Sequence, residues 1–154
     1  MRCASNTIIM KGTALIILLL TSFNLLSQSS LKTADEYFNI ANEYFDKDNY
    51  AEAILYLDST IIQNPEHNEA YAFRGVCKYQ LKKYRAAIED FDLALILEPG
   101  YAEVYFFRGL SHKELGEDKK ACEDWTTAYS LGLKKAMKLI IKNCDLEEEP
   151  ENKN

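Results

Sequence analysis

A period of 34 residues constrains this chain more than any other feature. The segment YRAAIEDFDLALILEP at residues 84–99 aligns with YAEAILYLDSTIIQNP at 50–65 and with DKKACEDWTTAYSLGL at 118–133. At that offset three alanines coincide, at positions 53, 87 and 121, as do the bulky residues Leu57, Phe91 and Trp125. A repeat of this length is one supersecondary unit, which buries its apolar face by stacking on the next copy.

The segment that precedes each of these copies also repeats. EYFNIANEYF from residue 36, AYAFRGVCKY from 70 and VYFFRGLSHK from 104 align in register. Each unit therefore predicts two helices joined by a turn, and Pro65 and Pro99 predict where two of the second helices end. A glycine inside a helix costs about 1 kcal/mol relative to alanine. Gly75 and Gly109 therefore indicate a close approach of the paired helix, which we expect at its aligned alanine.

This pattern of small and aromatic residues resembles the tetratricopeptide repeat family over residues 34 to about 133. The resemblance implies an all-α fold, a right-handed superhelical solenoid of three helix-turn-helix units at 34–67, 68–101 and 102–132. The last unit of such a stack needs a polar-faced cap, and residues 133–144 are predicted to supply it as a capping helix. Its buried stripe is predicted to contain Leu133, Met137, Ile140 and Ile141, with the lysines between them facing water.

Two pairs of opposite charges recur sixteen residues apart. They are Arg74 with Asp90 and Arg108 with Asp124, whereas the aligned residues of the first repeat, at positions 40 and 56, are uncharged. Because the two positions are either both charged or both uncharged, they favour a structural ion pair within the repeats that carry the charges. The alternative is that the arginines hold the carboxylate of a ligand.

The cysteines near the C-terminus suggest a covalent link. Cys122 and Cys144 lie at similar distances on either side of Gly132, so they stand nearly level if the chain forms a helical hairpin there. We predict a disulfide between them, which an oxidising compartment would permit; the alternative is two buried thiols. Cys77 is expected to be a small core residue rather than a nucleophile.

The N-terminal residues 1–27 read as a signal peptide. An apolar run from Ala14 to Leu20 follows Arg2 and Lys11, and no acidic residue occurs in this region. The run is far shorter than the roughly 20 residues that a membrane span needs. We expect cleavage, no membrane span afterwards and a periplasmic or secreted location; the alternative is an uncleaved membrane anchor. Residues 145–154 are predicted to form an acidic disordered tail.

Charge and motif content exclude several classes of function. The chain has 24 acidic and 18 basic residues and a net charge of -6, which becomes -8 without the leader, so nucleic acid is not an expected partner. His67 and His112 are far apart in the repeat, and no Cys-x-x-Cys, His-x-x-x-His or glycine-rich phosphate loop occurs. We therefore expect no enzyme, no cofactor and no metal site; the alternative is an enzyme with an unrecognised site.

The resemblance also implies a concave groove that the first helix of each unit lines. The residues at groove-facing places are Phe38, Asn39, Asn42, Phe45, Phe73, Val76, Tyr79, Phe106, Phe107, Leu110 and Lys113. The expected function is non-catalytic binding of a peptide or protein segment, of unknown identity, as an adaptor in the cell envelope. Two alternatives remain: the rings pack on one another rather than on a partner, and the protein is a structural one that self-associates.

One branch of the family grips a C-terminal carboxylate with five Lys, Asn and Arg residues. The five matching places here hold Phe38, Asn42, Phe73, Glu103 and Phe107. Only Asn42 agrees with that pattern, so the resemblance does not extend to a ligand of the chaperone-tail type. The groove is predicted to be apolar and aromatic instead.

Overall fold

The structure is a computed structural model that describes residues 32–144, and within them all regular structure is helical. The helices are α1 (Ala34–Phe45), α2 (Tyr50–Gln63), α3 (Asn68–Gln80), α4 (Tyr84–Leu97), α5 (Ala102–Glu114), α6 (Asp118–Ser130) and α7 (Ala136–Asn143). The predicted signal peptide and acidic tail lie outside the described residues. Consecutive helices pack together, most extensively as the pairs α1 with α2, α3 with α4 and α5 with α6. The all-α repeat fold predicted from the sequence is therefore confirmed.

The turn inside each helical pair has the same backbone geometry. Asp48, Lys82 and Gly116, which are 34 residues apart, all have positive φ angles of 56°, 60° and 75°. In each turn the next residue donates its N–H to the carbonyl five residues back, at 2.8–2.9 Å. This is the Schellman arrangement, which satisfies free carbonyls at the end of a helix. The sequence period is thus reproduced in the backbone of the turns.

The boundaries of the helices follow from local chemistry. The side chain of Thr33 accepts a hydrogen bond from the N–H of Glu36, whose carboxylate accepts one from the N–H of Thr33, a capping box that starts α1. The helices α2 and α4 end two residues before Pro65 and Pro99. Proline disfavours helical conformation in the residue before it, which accounts for both ends.

The glycines of the first helices meet aromatic rings, and Gly109 also meets the aligned alanine that the sequence predicts. A Cβ atom on Gly75 would lie 2.5 Å from the ring of Phe91, and one on Gly109 would lie 2.6 Å from the indole of Trp125. The same Cβ atom on Gly109 would lie 3.1 Å from the backbone carbonyl oxygen of Ala121. In the first repeat the equivalent residues are Ala41 and Leu57, which lie in one core cluster. A larger side chain on the second helix therefore accompanies a smaller one on the first.

The C-terminal helix begins three residues later than predicted, because residues 131–135 form turns. Ala136 and Ile140, which are four residues apart, are its buried residues, whereas Met137 is 40% and Ile141 67% exposed. The predicted stripe is therefore wrong for Met137 and Ile141. Ala136 and Ile140 belong to the core cluster of α6, which they cover at the end of the stack.

The sulfur atoms of Cys122 and Cys144 lie within bonding distance in this structure, and their Cα atoms are 5.7 Å apart. Their contact joins α6 to the end of α7. Between residues 32 and 144, no helix combines the length and the apolar character needed to cross a membrane.

Candidate functional site

Aromatic rings form two groups of contacts along the first helices. Phe73 of α3 contacts Phe38 and Phe45 of α1, with ring centroids 5.3 and 5.4 Å apart. Phe107 of α5 lies 6.3 Å from Tyr79 of α3. All of these rings are half-buried. The rings therefore pack on one another between adjacent helices and still keep part of their surface exposed.

An apolar cleft of about 540 Å³ opens between α3 and α5. Its lining residues are Phe45, Ala72, Phe73, Val76, Phe91, Tyr101, Glu103, Val104 and Phe107. Four of the predicted groove residues belong to this set: Phe45, Phe73, Val76 and Phe107. A volume of this size lies within the range of roughly 300–1,000 Å³ typical of ligand pockets.

Seven predicted groove residues do not line the cleft: Phe38, Asn39, Asn42, Tyr79, Phe106, Leu110 and Lys113. Asn39 is exposed on α1, and Leu110 packs against the third core cluster. Asn42 is half-buried, and its side-chain oxygen has no hydrogen-bond partner within residues 32–144. The predicted groove is thus a longer surface than the cleft, which occupies its middle.

The cleft lies where the middle repeat lacks a ring. Ala72 is aligned with Phe38 of the first repeat and Phe106 of the third. In those repeats the N-cap residue of the helix that follows covers the ring: His67 lies 4.6 Å from Phe38, and the Lys135 ammonium lies 4.5 Å from Phe106. Tyr101 holds the equivalent place in the middle repeat, where it borders the cleft.

The predicted groove left out five lining residues: Ala72, Phe91, Tyr101, Val104 and Glu103, of which Glu103 was named as a departure from the carboxylate-gripping pattern. The groove prediction relied on large side chains of the first helices, whereas Ala72 contributes through its small size. Comparison of the three aligned repeats contained the signal, because only the middle one has alanine at this position.

A carboxylate supplies the charge on the lining of the cleft. Glu103 is the single charged residue among those that line it, and Glu69 is exposed in the aligned place on α3. Burial, followed by the charges of Glu69 and Glu103, raises the pKa of Tyr101. None of the ion pairs within residues 32–144 involves Glu69 or Glu103.

The paired charges form networks away from the cleft. Arg74 donates two hydrogen bonds to Asp90, at 2.7 and 2.9 Å, and a third to Asp58 at 2.6 Å. Lys78 also contacts the buried Asp90, at 2.7 Å. Arg108 repeats the pattern with Asp124 and Asp92. These guanidinium groups are engaged by carboxylates of their own chain, so the alternative of a ligand carboxylate finds no support in this geometry.

The remaining reactive side chains are also accounted for by packing. The Nδ1 atom of His112 lies 2.7 Å from a carboxylate oxygen of Glu117. Cys77 is fully buried, and burial raises its pKa to about 12, which suppresses the thiolate. No group of three or more His, Cys, Asp or Glu side chains in the described part of the chain is arranged to hold a metal ion.

Comparison with known proteins agrees with this architecture. The sequence profile of the tetratricopeptide repeat matches residues 38–102, whereas no curated protein sequence matches the chain. The second such domain of human RPAP3, in complex with the HSP70 peptide SGPTIEEVD, is 25% identical with a TM-score of 0.67, over 71% of this chain and 92% of that one.

Two further solved structures have the same fold. The corresponding domain of Arabidopsis OM64 is 20% identical with a TM-score of 0.67, over 71% of this chain and 95% of that one. MamA is 23% identical with a TM-score of 0.65, over 71% of this chain and 64% of that one. The family profile, the 34-residue period and the stacked helical pairs agree, and residues 38–102 match the tetratricopeptide repeat family.

Proposed function

We propose that this protein is a non-catalytic interaction module that binds a segment of another protein in the cleft between α3 and α5. The observation that carries the proposal is the apolar cleft of about 540 Å³, bordered by the rings of Phe45, Phe73, Tyr101 and Phe107. Concave apolar patches with aromatic borders provide anchor points for the side chains of a partner. Peptide complexes of two RPAP3 domains with the same fold support this class of function.

The ligand of this protein differs in chemistry from the peptides in those complexes. The HSP90 and HSP70 peptides there end in the acidic sequence EEVD. Here Glu103 borders the cleft, and Phe73 and Phe107 occupy places where the carboxylate-gripping branch has polar or basic residues. We infer that an acidic chain terminus is not the ligand.

We place this activity in the cell envelope. The basic, acid-free leader with its short apolar run at residues 1–27 supports export. An oxidising compartment would allow Cys122 and Cys144 to form a disulfide, and their Cα separation of 5.7 Å suits one. Cell fractionation tests the location, and mass spectrometry of the isolated protein tests cleavage near residue 27. A cytosolic protein with an intact N-terminus would contradict this part of the proposal.

Site-specific photocrosslinking tests the binding surface. The photoreactive residue p-benzoylphenylalanine is placed at Val76, inside the cleft, and at Ile62, which is 80% exposed on α2, as the control. The proposal predicts crosslinked protein from position 76 and none of the same mass from position 62. Equal products from both positions, or none from position 76, would contradict binding in the cleft.

Self-association is a second candidate, favoured by apolar side chains on the second helices. Leu55 is 64% exposed, and Ile62 and Ile96, one repeat apart, are 80% and 74% exposed. Contiguous exposed apolar surface often marks an interface. Sedimentation equilibrium of the protein and of the double variant Ile62→Lys, Ile96→Lys separates the two candidates. A mass that rises with concentration only in the unsubstituted protein supports self-association, and a constant monomer mass excludes it.

A further inference from the structure

We propose that the cleft takes one bulky apolar side chain of the partner and that Glu69 and Glu103 select a basic residue beside it. This inference rests on the proposed function, because it specifies the ligand of the same cleft. Its occupant is a partner segment in which a large apolar residue stands next to Lys or Arg.

The middle repeat has alanine at position 72, where the other two repeats have phenylalanine. The rings of the equivalent residues Phe38 and Phe106 each contact the N-cap residue of the helix that follows. At Ala72 no ring is present, and Phe73, Val76 and Phe107 border an opening instead. A cavity of about 150 Å³ lined by apolar side chains holds a benzene molecule, so a cleft of about 540 Å³ accommodates a large side chain from a partner.

The charged group on the lining of the cleft is negative. Glu103 is the single charged residue of the lining, and Glu69 stands one repeat away in the aligned place. Both carboxylates are exposed, and Glu103 lines the cleft together with Tyr101, whose pKa is raised by burial and then by the charges of Glu69 and Glu103. Opposite charge on a partner speeds encounter and fixes register, whereas like charge is penalised.

Lys135 is a cation that lies near the cleft. The Lys135 ammonium lies over the rings of Phe106 and Phe107, at 4.5 and 5.7 Å from their centroids. Its charge is therefore engaged by ring faces. Lys135 is not among the residues that line the cleft. Glu103 is therefore the charged group that an entering segment meets on the lining itself.

A random peptide library provides the probe. Phage-displayed 12-residue peptides are selected on the immobilised full-length protein, and the enriched sequences are synthesised with a fluorophore for anisotropy titrations. We expect enrichment of a large apolar residue adjacent to Lys or Arg. Ala72→Phe, which restores the ring of the other repeats, should weaken binding by about tenfold or more because it fills the cleft. Glu103→Gln and Glu69→Gln should each weaken binding by roughly threefold to tenfold and reduce its dependence on salt.

Two matched control variants test whether the changes in affinity are specific to the cleft. Ala51→Phe adds the same ring at an exposed site on α2, and Glu89→Gln removes a carboxylate from an exposed site on α4. Neither should change affinity. Replacement of the basic residue of the peptide by Gln should abolish the effect of Glu103→Gln, as a double-mutant cycle requires. Circular dichroism verifies folding, and Ala72→Leu serves as a second filling variant if the phenylalanine disrupts α3.

The outcomes separate the inference from the function on which it rests. Peptides that Ala72→Phe displaces but that lack basic residues, or that bind Glu69→Gln and Glu103→Gln with unchanged affinity, overturn the inference and leave the binding cleft in place. Enriched peptides that still bind the folded filling variants, or a library that yields no binder, overturn both.

Discussion

The ring of Phe91 occupies the space that a side chain on Gly75 would need, since a Cβ there would lie 2.5 Å from the ring. Phe91 is fully buried, so it has little freedom to move away. We expect Gly75→Ala to destabilise the protein although alanine favours helix by about 1 kcal/mol. Overpacking costs about 1–3 kcal/mol, and urea unfolding measures the net loss.

The first repeat supplies the compensating change. Its equivalent residues are Ala41 and Leu57, so the double variant Gly75→Ala, Phe91→Leu reproduces a combination that the fold already accommodates. We expect the double variant to lose less free energy of unfolding than the two single variants together. If the losses of the two single variants simply add in the double variant, contact with the Phe91 ring does not explain the glycine at position 75.

A second prediction replaces charged residues around Asp90 by the residues aligned with them in the first repeat. Arg74→Ile leaves Asp90, whose side chain is 3% exposed, with Lys78 as its remaining ion-pair partner. Removal of one member of a buried pair is strongly destabilising, here by about 2–4 kcal/mol. Urea unfolding at pH 7 gives this value, and a loss below about 1 kcal/mol would show that the pair is structurally dispensable.

The whole network has an uncharged counterpart in the first repeat. The residues aligned with Arg74, Lys78 and Asp90 are Ile40, Tyr44 and Tyr56, and the rings of the two tyrosines stack 5.3 Å apart. We expect the triple variant Arg74→Ile, Lys78→Tyr, Asp90→Tyr to be more stable than Arg74→Ile alone. A triple variant that is less stable would show that the charges depend on neighbours outside this set, such as Asp58.

A third prediction follows from the positive φ angles in the turns and concerns the effect of backbone conformation on stability. Lys82 has a φ angle of 60°, which costs an L-residue about 1–2 kcal/mol, whereas the aligned Gly116 adopts its φ of 75° without strain. We expect Lys82→Gly to raise the free energy of unfolding by about 0.5–1 kcal/mol and Gly116→Ala to lower it by about 1 kcal/mol. Thermal unfolding measures both changes.

Asp48 is the matched control for this comparison. Aspartate tolerates the left-handed conformation better than lysine does, and Asp48 also accepts a hydrogen bond from the hydroxyl of Tyr50. Asp48→Gly should therefore stabilise less than Lys82→Gly. Equal gains at both positions would remove the side-chain part of the explanation.

The parts of the structure that could be predicted from the sequence are those present in several copies. Alignment of repeats revealed the helical pairs, and it paired Arg74 with Asp90 because both are replaced together in the first repeat. The capping helix occurs once, so its buried face was inferred from hydrophobicity alone, and Met137 was wrongly included. A helix of eight residues offers two turns, in which the small Ala136 makes the contact that a larger residue was expected to make.

The cleft was only half predictable for a related reason. Phe73 and Phe107 are conspicuous as large residues at groove places, whereas Ala72 matters through the ring that it lacks. The position of Tyr101 beside that gap depends on how one repeat packs on the next, which no local pattern specifies. Glu103 was noted as a departure from the carboxylate-gripping pattern, but its position at the mouth of the cleft needed the structure.

A fourth prediction concerns the link between α6 and α7. If Cys122 and Cys144 are oxidised, the disulfide spans 22 residues and constrains the unfolded chain, which contributes about 3 kcal/mol in the loop-entropy model. The variant Cys122→Ser, Cys144→Ser should therefore unfold at a lower temperature than the oxidised protein. It should unfold at nearly the same temperature as the reduced protein, because neither of them contains the bond.

Thiol labelling establishes the redox state in the same preparation. At pH 8 the folded, oxidised protein should leave Cys77 unlabelled, because burial raises its pKa from 9.0 to about 12 and so lowers the thiolate fraction roughly a thousandfold. Unfolding without reductant should expose Cys77 but not Cys122 or Cys144, and reductant should then expose both. Labelling of Cys122 or Cys144 in the unfolded, unreduced protein would show two free thiols, and the expected gain in stability would be absent.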